Sequence, residues 1–254
     1  MMQSLNQQSL LGLTLFKDLA PTSIAELQNV LHSKKLPAAT TVLSEQHDGA
    51  AVYILLHGTV KIAVEPSNGT EVILAICGPG EVLGEINALD GLGHSANVVT
   101  LEQSTFLCIE RTAFCHCLRT IPGLAFNLAQ IQARRLRRIS SQAQMLASLD
   151  IYGRMAYQLL TFAKDYGRTL ENGDVVIPIR LTQDELAVLI GATRVSVNRV
   201  LAAHRKSACI SINSHHHITI HNQAELLQRL QCRVSLRQRP CAVEGKPQPL
   251  GKGL

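Results

Sequence analysis

The chain is predicted to be α+β, with an N-terminal β-roll, one long helix and a C-terminal winged helix-turn-helix. Three observations predict it. Between residues 40 and 109 short apolar runs recur between Gly, Pro and Asp breaks, the texture of a roll or barrel. Residues 124–149 hold a helical apolar period with no Gly or Pro. Residues 181–206 read as two short amphipathic helices joined at Gly191. The expected divisions are 1–120 for the roll, 121–149 for a dimerisation helix, 150–232 for the winged unit and 233–254 for a disordered basic tail.

Leu10, Leu11, Leu13, Leu15, Phe16 and Leu19, followed by a helical stretch through Leu27, Val30 and Leu31, form a short helical preface. Strands are expected at 51–56, 59–64, 71–76, 96–100 and 105–109. In the long helix Leu124, Leu128, Ile131, Leu136, Ile139, Ala143 and Leu146 are near heptad spacing with one irregular step, which predicts a dimer seam. Arg134, Arg135, Arg137 and Arg138 are expected on its solvated flank. Asp150 is the expected N-cap of a further helix to about residue 164, so a hinge falls at the break. A turn at 171–174 leads into a strand over 175–180, and alternating isoleucines at 209–221 on both sides of a polar turn make a hairpin, the wing.

Charge is divided along the chain. Residues 1–120 carry six Lys and Arg against eleven Asp and Glu, and residues 121–254 carry eighteen against eight, so a net −5 is joined to a net +10. Phosphate neutralisation by Lys and Arg supplies most sequence-independent DNA affinity, so the second half is the one expected to meet a polyanion. No segment approaches the ~20 consecutive apolar residues of a membrane span, and no basic flank leads into an apolar N-terminal region. Seven scattered cysteines show no disulfide framework, which suits reduced thiols and a cytoplasmic location.

The strongest chemical signal lies in residues 181–206. Thr182 and Glu185 have capping-box spacing, and Thr193 is a second N-cap candidate just after the glycine of the turn. Val197, Val200 and Leu201 share one stripe, leaving Arg194, Val195, Asn198 and Arg199 on the opposite face. The exposed residues sit in the first two turns, where a recognition helix meets base edges, so the partner is expected to be double-stranded DNA. A helical hairpin packed in an all-helical bundle is the bland alternative. The basic surroundings weigh against it.

A roll, a long helix and a winged helix-turn-helix in that order resemble the Crp/Fnr superfamily of bacterial transcription regulators over roughly residues 10–222. The residues that carry the resemblance are Gly84-Glu85, His94-Ser95-Ala96, Ala133-Arg134-Arg135-Leu136, Leu149-Asp150 through Gly153-Arg154, and Thr193-Arg194 to Arg199. It implies a cyclic-nucleotide-binding-type jelly roll, a homodimer joined through the long helix, and a near-palindromic promoter site at which RNA polymerase is recruited or blocked. The segment 80–96 resembles the family's phosphate-binding cassette, whose backbone amides cradle an anion. An effector pocket is thereby placed at Gly84, Glu85, His94, Ser95, Ala96 and Ser140.

Two departures bear on the effector. Cyclic-AMP-binding members carry an Arg just before Ser-Ala, and here that residue is His94; neutral imidazole lacks the charged bidentate fork. A Thr-Ser pair that reaches adenine is replaced by Ile139-Ser140. Weak or absent cyclic-AMP binding is therefore expected, which leaves the effector unknown: another effector in the same cavity, a weakened nucleotide site or a ligand-independent roll. On the DNA side the family's Arg-Glu-Arg set matches Arg194, Val195 and Arg199. Valine cannot accept from cytosine N4, so a different half-site is expected. Arg199 is expected to read guanine, Arg194 a base or phosphate, Val195 and Asn198 to approach base edges, and Thr193 and Ser196 to meet phosphates.

Weaker signals point elsewhere. Cys115-His116-Cys117 with Cys108 has poor spacing for zinc and reads as packing, and the first cysteine is Cys77, so no N-terminal iron-sulfur cluster or other metal is expected. His215, His216 and His217 read as a polar wing turn. The rival functions are a cupin-like metal-dependent enzyme and a partner-binding module without DNA. His47, His57 and Glu65 are too scattered to make the first, and no nucleophile-base constellation or HExxH motif is seen. The chain is therefore expected not to be an enzyme.

Overall fold

The structure, a computed structural model, describes residues 10–46, 51–65 and 71–231. The N-terminal half is a roll of two antiparallel sheets. One has the order β1 (His32–Leu36), β8 (Ser104–Glu110), β3 (Ala51–His57), β6 (Val82–Leu83), and the other β2 (Thr41–Leu43), β7 (Asn97–Thr100), β4 (Val60–Val64), β5 (Val72–Cys77). Alternation within each strand sends one set of side chains between the sheets, where Leu55, Val60, Cys77, Leu83, Val98 and Phe106 are buried. In β3 the successive residues Ile54 and Leu55 are both buried, because the pairing with β8 shifts register between Leu55 and His57.

The outer face of the first sheet is covered by helices. Val52, Ile54, Leu107 and Ile109 pack against Leu10, Leu15 and Phe16 of the preface, Ile24 and Leu27 of α1 (Pro21–Val30), Phe114 of α3 (Arg111–Thr120) and Leu124 and Leu128 of α4 (Pro122–Ser148). Each such side chain contributes roughly 1.5–3 kcal/mol on leaving water. The strands expected from the short apolar runs are present. Missing from the sequence reading were the short strands β1, β2 and β6, the helix α2 (Glu85–Asp90) and α3. The strand expected over 175–180 is shorter, β10 (Val175–Ile177).

Helix α4 corrects the expected seam. Leu124, Leu128 and Ile131 are buried against the chain's own roll, whereas Leu136 and Ile139 are 66% and 63% exposed. The irregular step accounts for Leu136: five residues from Ile131 advance the helix by about 500°, which turns Leu136 roughly 140° away from the buried Ile131. Phe126, 65% exposed, belongs with the outward set. The arginine expectation is corrected too. Arg134 and Arg137 are exposed, but Arg135 and Arg138 are drawn into ion pairs with the roll.

Asp150 caps α5 (Ile151–Tyr166) by accepting from the Gly153 amide at 3.0 Å. The C-terminal unit then adds a sheet of order β11 (Ile210–Ile212), β12 (Ile218–Ile220), β10, β9 (Arg168–Thr169), with α6 (Gln183–Leu189), α7 (Arg194–Lys206) and α8 (Gln223–Gln231). Its core of Met155, Leu159, Ile177, Leu186, Val197, Val200, Leu201 and Ile218 is continuous with Ala63, Ile73 and Ile76 of β4 and β5. The winged unit is thus packed on the roll. The tail expected at 233–254 lies outside the described residues, as does His47.

Candidate nucleic-acid interface and roll cleft

The sequence sets both ends of the helix-turn-helix. Thr182 Oγ1 accepts from the Glu185 amide while the Glu185 carboxylate accepts from the Thr182 amide at 2.8 Å, a complete capping box at the start of α6. Gly191 stands at φ +61° in the turn, a conformation that costs a residue with a Cβ but not glycine. Thr193 then caps α7, accepting from the Ser196 amide at 3.2 Å, and the two helices meet at 108°. Arg154 holds this turn to the hinge. Its Nη1 donates to Ile190 O at 3.1 Å and Gly191 O at 3.3 Å, while Nε reaches Leu149 O at 3.0 Å and Nη2 Leu146 O at 2.9 Å.

On α7 the two faces separate as the spacing predicts. Val197, Val200 and Leu201 are at most 2% exposed, and Arg194, Asn198 and Arg199 face solvent beside Val195, 73% exposed. Arg194 pairs with Asp184 of α6 at 3.3 Å, and Asn198 accepts from Gln183 Nε2 at 3.4 Å. Thr193 and Ser196 are hydroxyl neighbours at 3.0 Å at the helix N-terminus. All six residues named from sequence therefore lie at the N-terminal end of one helix, with Arg194, Val195, Asn198 and Arg199 on its exposed face. The wing turn carries His215, His216 and His217, with His216 at φ +61° and its carbonyl accepting from Leu181 N at 3.2 Å.

The second candidate region is a cleft in the roll. Gly84, Glu85, His94, Ser95 and Ala96 line it together with Arg135. Gly84, at φ +83°, brings the backbone so near β3 that a Cβ there would stand 2.9 Å from Ala51 O. Ser140 lies apart from this lining, exposed on α4 and donating to Leu136 O one turn back. The Glu85 carboxylate is 1% exposed and already engaged, accepting from Gln132 Nε2 at 2.9 Å and from Arg135 Nη1 at 2.5 Å.

Arg135 is the residue the sequence reading misplaced. Its Nη2 also donates to Glu81 Oε2 at 2.8 Å and to the Val82 carbonyl, so it fills the space between cassette and long helix with paired charge. Arg138 extends the network to Glu81 at 3.2 Å and to Asp165 of α5 at 3.4 Å. Burial raises the Glu81 carboxyl, but the charges of Arg135 and Arg138 outweigh it and hold the group below the usual carboxylate range. Nearby, burial and then the Glu81 charge push the Cys77 thiol up to about 12. The sequence did contain one signal: four arginines within five residues spread over an arc of roughly 160° round a helix, wide enough for its two edges to meet different surroundings.

The weaker candidates are placed separately. Cys115 donates to Ala88 O at 3.2 Å and Cys108 to His32 O at 3.3 Å, and the five cysteines among the described residues are free. His57 and Glu65 are both exposed. Among the described residues no single helix is long and apolar enough to cross a membrane.

Comparison with known proteins agrees with this geometry. A cyclic nucleotide-binding domain family matches residues 33–120, and a Crp-like helix-turn-helix domain matches residues 153–229. The chain is 34% identical over 193 residues to a CRP-like cAMP-activated global transcriptional regulator of Mycobacterium tuberculosis, covering 75% of this chain and 86% of that one. It is 31% identical over 192 residues to a cyclic AMP receptor protein of Thermus thermophilus, covering 76% and 85%. The fold is also that of FixK2 from Bradyrhizobium japonicum, with a TM-score of 0.68, 19% identity, and 78% and 96% of the two chains covered. The enzyme alternative finds no support in these relatives. Two matched domains in order, a capped helix-turn-helix and relatives alike over three quarters of the sequence lead to one conclusion: the chain belongs to the Crp/Fnr family of DNA-binding transcription regulators.

Proposed function

We propose that the protein works as a homodimer on a near-palindromic promoter site, with α7 in the major groove and Arg199 as the principal reader of a guanine. The observation that carries this reading is the pair of arginines on the exposed N-terminal half of α7 above a fully buried Val197, Val200 and Leu201. In this reading Arg194 meets a base or phosphate, Val195 and Asn198 approach base edges, and Thr193 and Ser196 hold phosphates. Phe126, Leu136, Ile139 and Leu146, exposed along α4, supply the dimer contact. Two recognition helices related by a twofold axis suit half-sites about 34 Å apart.

Transcriptional output comes from contact with RNA polymerase in the cytoplasm. The cleft lined by Gly84, Glu85, His94, Ser95 and Ala96 is the effector region, and Ser140 lies on the neighbouring helix. Cyclic AMP binds there weakly or not at all. Glu85 already has two partners, and the cleft offers His94 where a permanent cation would hold a phosphate.

Selection of DNA sites by the purified protein, with and without cell-extract metabolites, tests operator and effector together. Recovery of a two-fold symmetric motif is expected. Recovery of random sequence under all conditions overturns the reading.

A further inference from the structure

Behind the recognition helix, three side chains that the DNA-binding reading does not use converge. His204 ends α7, Cys209 lies in the turn into β11, and Glu225 comes from α8. One ligand atom of each lies within 4.8 Å of the others, and His204 Nδ1 is 3.9 Å from Glu225 Oε1. The site is dry on two sides, with His204 2% and Cys209 0% exposed, whereas the Glu225 side chain is 26% exposed and opens it to solvent. Most telling, His204 Nε2 is buried without a hydrogen-bond partner. Buried polar atoms are almost always satisfied, and leaving one unmade is costly. With Nδ1 3.9 Å from Glu225 Oε1, beyond hydrogen-bond reach, and Nε2 unpartnered, neither ring nitrogen is hydrogen-bonded to a protein group among the described residues.

We propose that His204, Cys209 and Glu225 form a binding site for a thiophilic divalent cation of the zinc class. Imidazole, thiolate and carboxylate are the ligand types that zinc takes in four-coordinate sites, and three protein ligands leave one position for water on the Glu225 side. On binding, the Cys209 S–H bond breaks, its proton passes to solvent and the sulfur lone pair forms the metal bond. The thiolate and carboxylate then balance the two charges of the ion. Neighbouring groups already orient the ligands: Ser207 Oγ donates to Glu225 Oε1 at 3.1 Å, and Tyr152 stands edge-on to the His204 ring with centroids 6.5 Å apart. The Cys209 thiol, which donates to Asn222 O at 3.3 Å, gives up that bond when it ionises. A bound ion would tie α8 to the end of the recognition helix. The site stands whether or not the operator reading holds.

Cobalt is the probe. Metal-free full-length protein titrated with Co2+ is expected to show tetrahedral d–d absorption and a thiolate-to-cobalt charge-transfer band that saturates stoichiometrically, is bleached by Zn2+, and accompanies a rise in thermal midpoint. Cys209→Ser should remove the charge-transfer band, and a His215→Ala, His217→Ala double variant should keep it. Glu225→Gln, isosteric at a partly exposed position, should weaken Co2+ by at least about tenfold and decides the matter if Cys209→Ser fails to fold. Absence of the band in the parent protein, its persistence in Cys209→Ser, or unchanged affinity in Glu225→Gln would overturn the site. None of these measurements involves DNA.

Discussion

The Tyr166 hydroxyl, in the last turn of the helix that enters the winged unit, donates to the Glu81 carboxylate of the roll at 3.0 Å. Through Glu81 it meets Arg135 and Arg138, and through Arg135 it meets Glu85 in the cassette. A continuous path of hydrogen bonds and ion pairs therefore joins the roll cleft, the long helix and the DNA-binding unit. Each member is short of solvent, so loss of one partner leaves an uncompensated buried group.

Glu81→Gln should cost about 3 kcal/mol of stability, the usual penalty for breaking one side of a buried pair. The pH dependence has a definite sign. Because the folded carboxyl lies below its unfolded value of about 4.3, its stabilisation is complete above that value and is lost as pH falls through the depressed one. Acid unfolding curves should be flatter in the variant than in the parent over that window; parallel curves would count against the network.

Arg154→Ala should loosen the helix-turn-helix turn from the hinge. Four carbonyls lose a charged donor, and a loss of about 2 kcal/mol in urea unfolding is expected. Arg154→Lys should recover little, since one ammonium cannot reproduce the planar fork.

Arg199→Ala should weaken specific DNA by roughly 1 to 3 kcal/mol, a factor of about 5 to 150, and relax preference at one base position. Fluorescence anisotropy on the selected site and on random duplex separates the outcomes. Equal loss on both would make Arg199 a phosphate contact.

Ile139→Glu, placing a charge in the exposed stripe of α4, should shift the protein from dimer to monomer in sedimentation without changing its circular dichroism. A dimer of unchanged strength would move the interface elsewhere.

Calorimetry with cyclic AMP should show no binding at micromolar affinity, because Glu85 is paired and His94 replaces a fixed cation. Micromolar or tighter heat would reverse the effector reading.

The DNA-binding half was the more legible part of the chain. Thr182, Glu185, Gly191 and Thr193 act within a few residues of themselves, so spacing and backbone chemistry suffice to place them. The strands β3 to β5, β7 and β8 were legible from apolar runs bounded by Gly, Pro and Asp breaks. β1, with its exposed His32-Ser33-Lys34-Lys35 run, was not, because an edge strand pairs through its backbone and carries little apolar signal. The cysteine near the wing was read as one of seven without a framework. Its meeting with His204 and Glu225 draws on positions spread from 204 to 225 across a turn and a hairpin and leaves no local pattern.

Sequence by itself determined the order of the units, the ends of the recognition helix and which of its faces carries the arginines, since helical period and capping are local properties of the chain. Only the tertiary structure decided which face of α4 serves the roll, which arginines leave solvent, and that Glu85 is already occupied. Those outcomes depend on charges and apolar surfaces brought together from positions some fifty residues apart, as Glu85 and Arg135 are, and no periodicity encodes such a meeting.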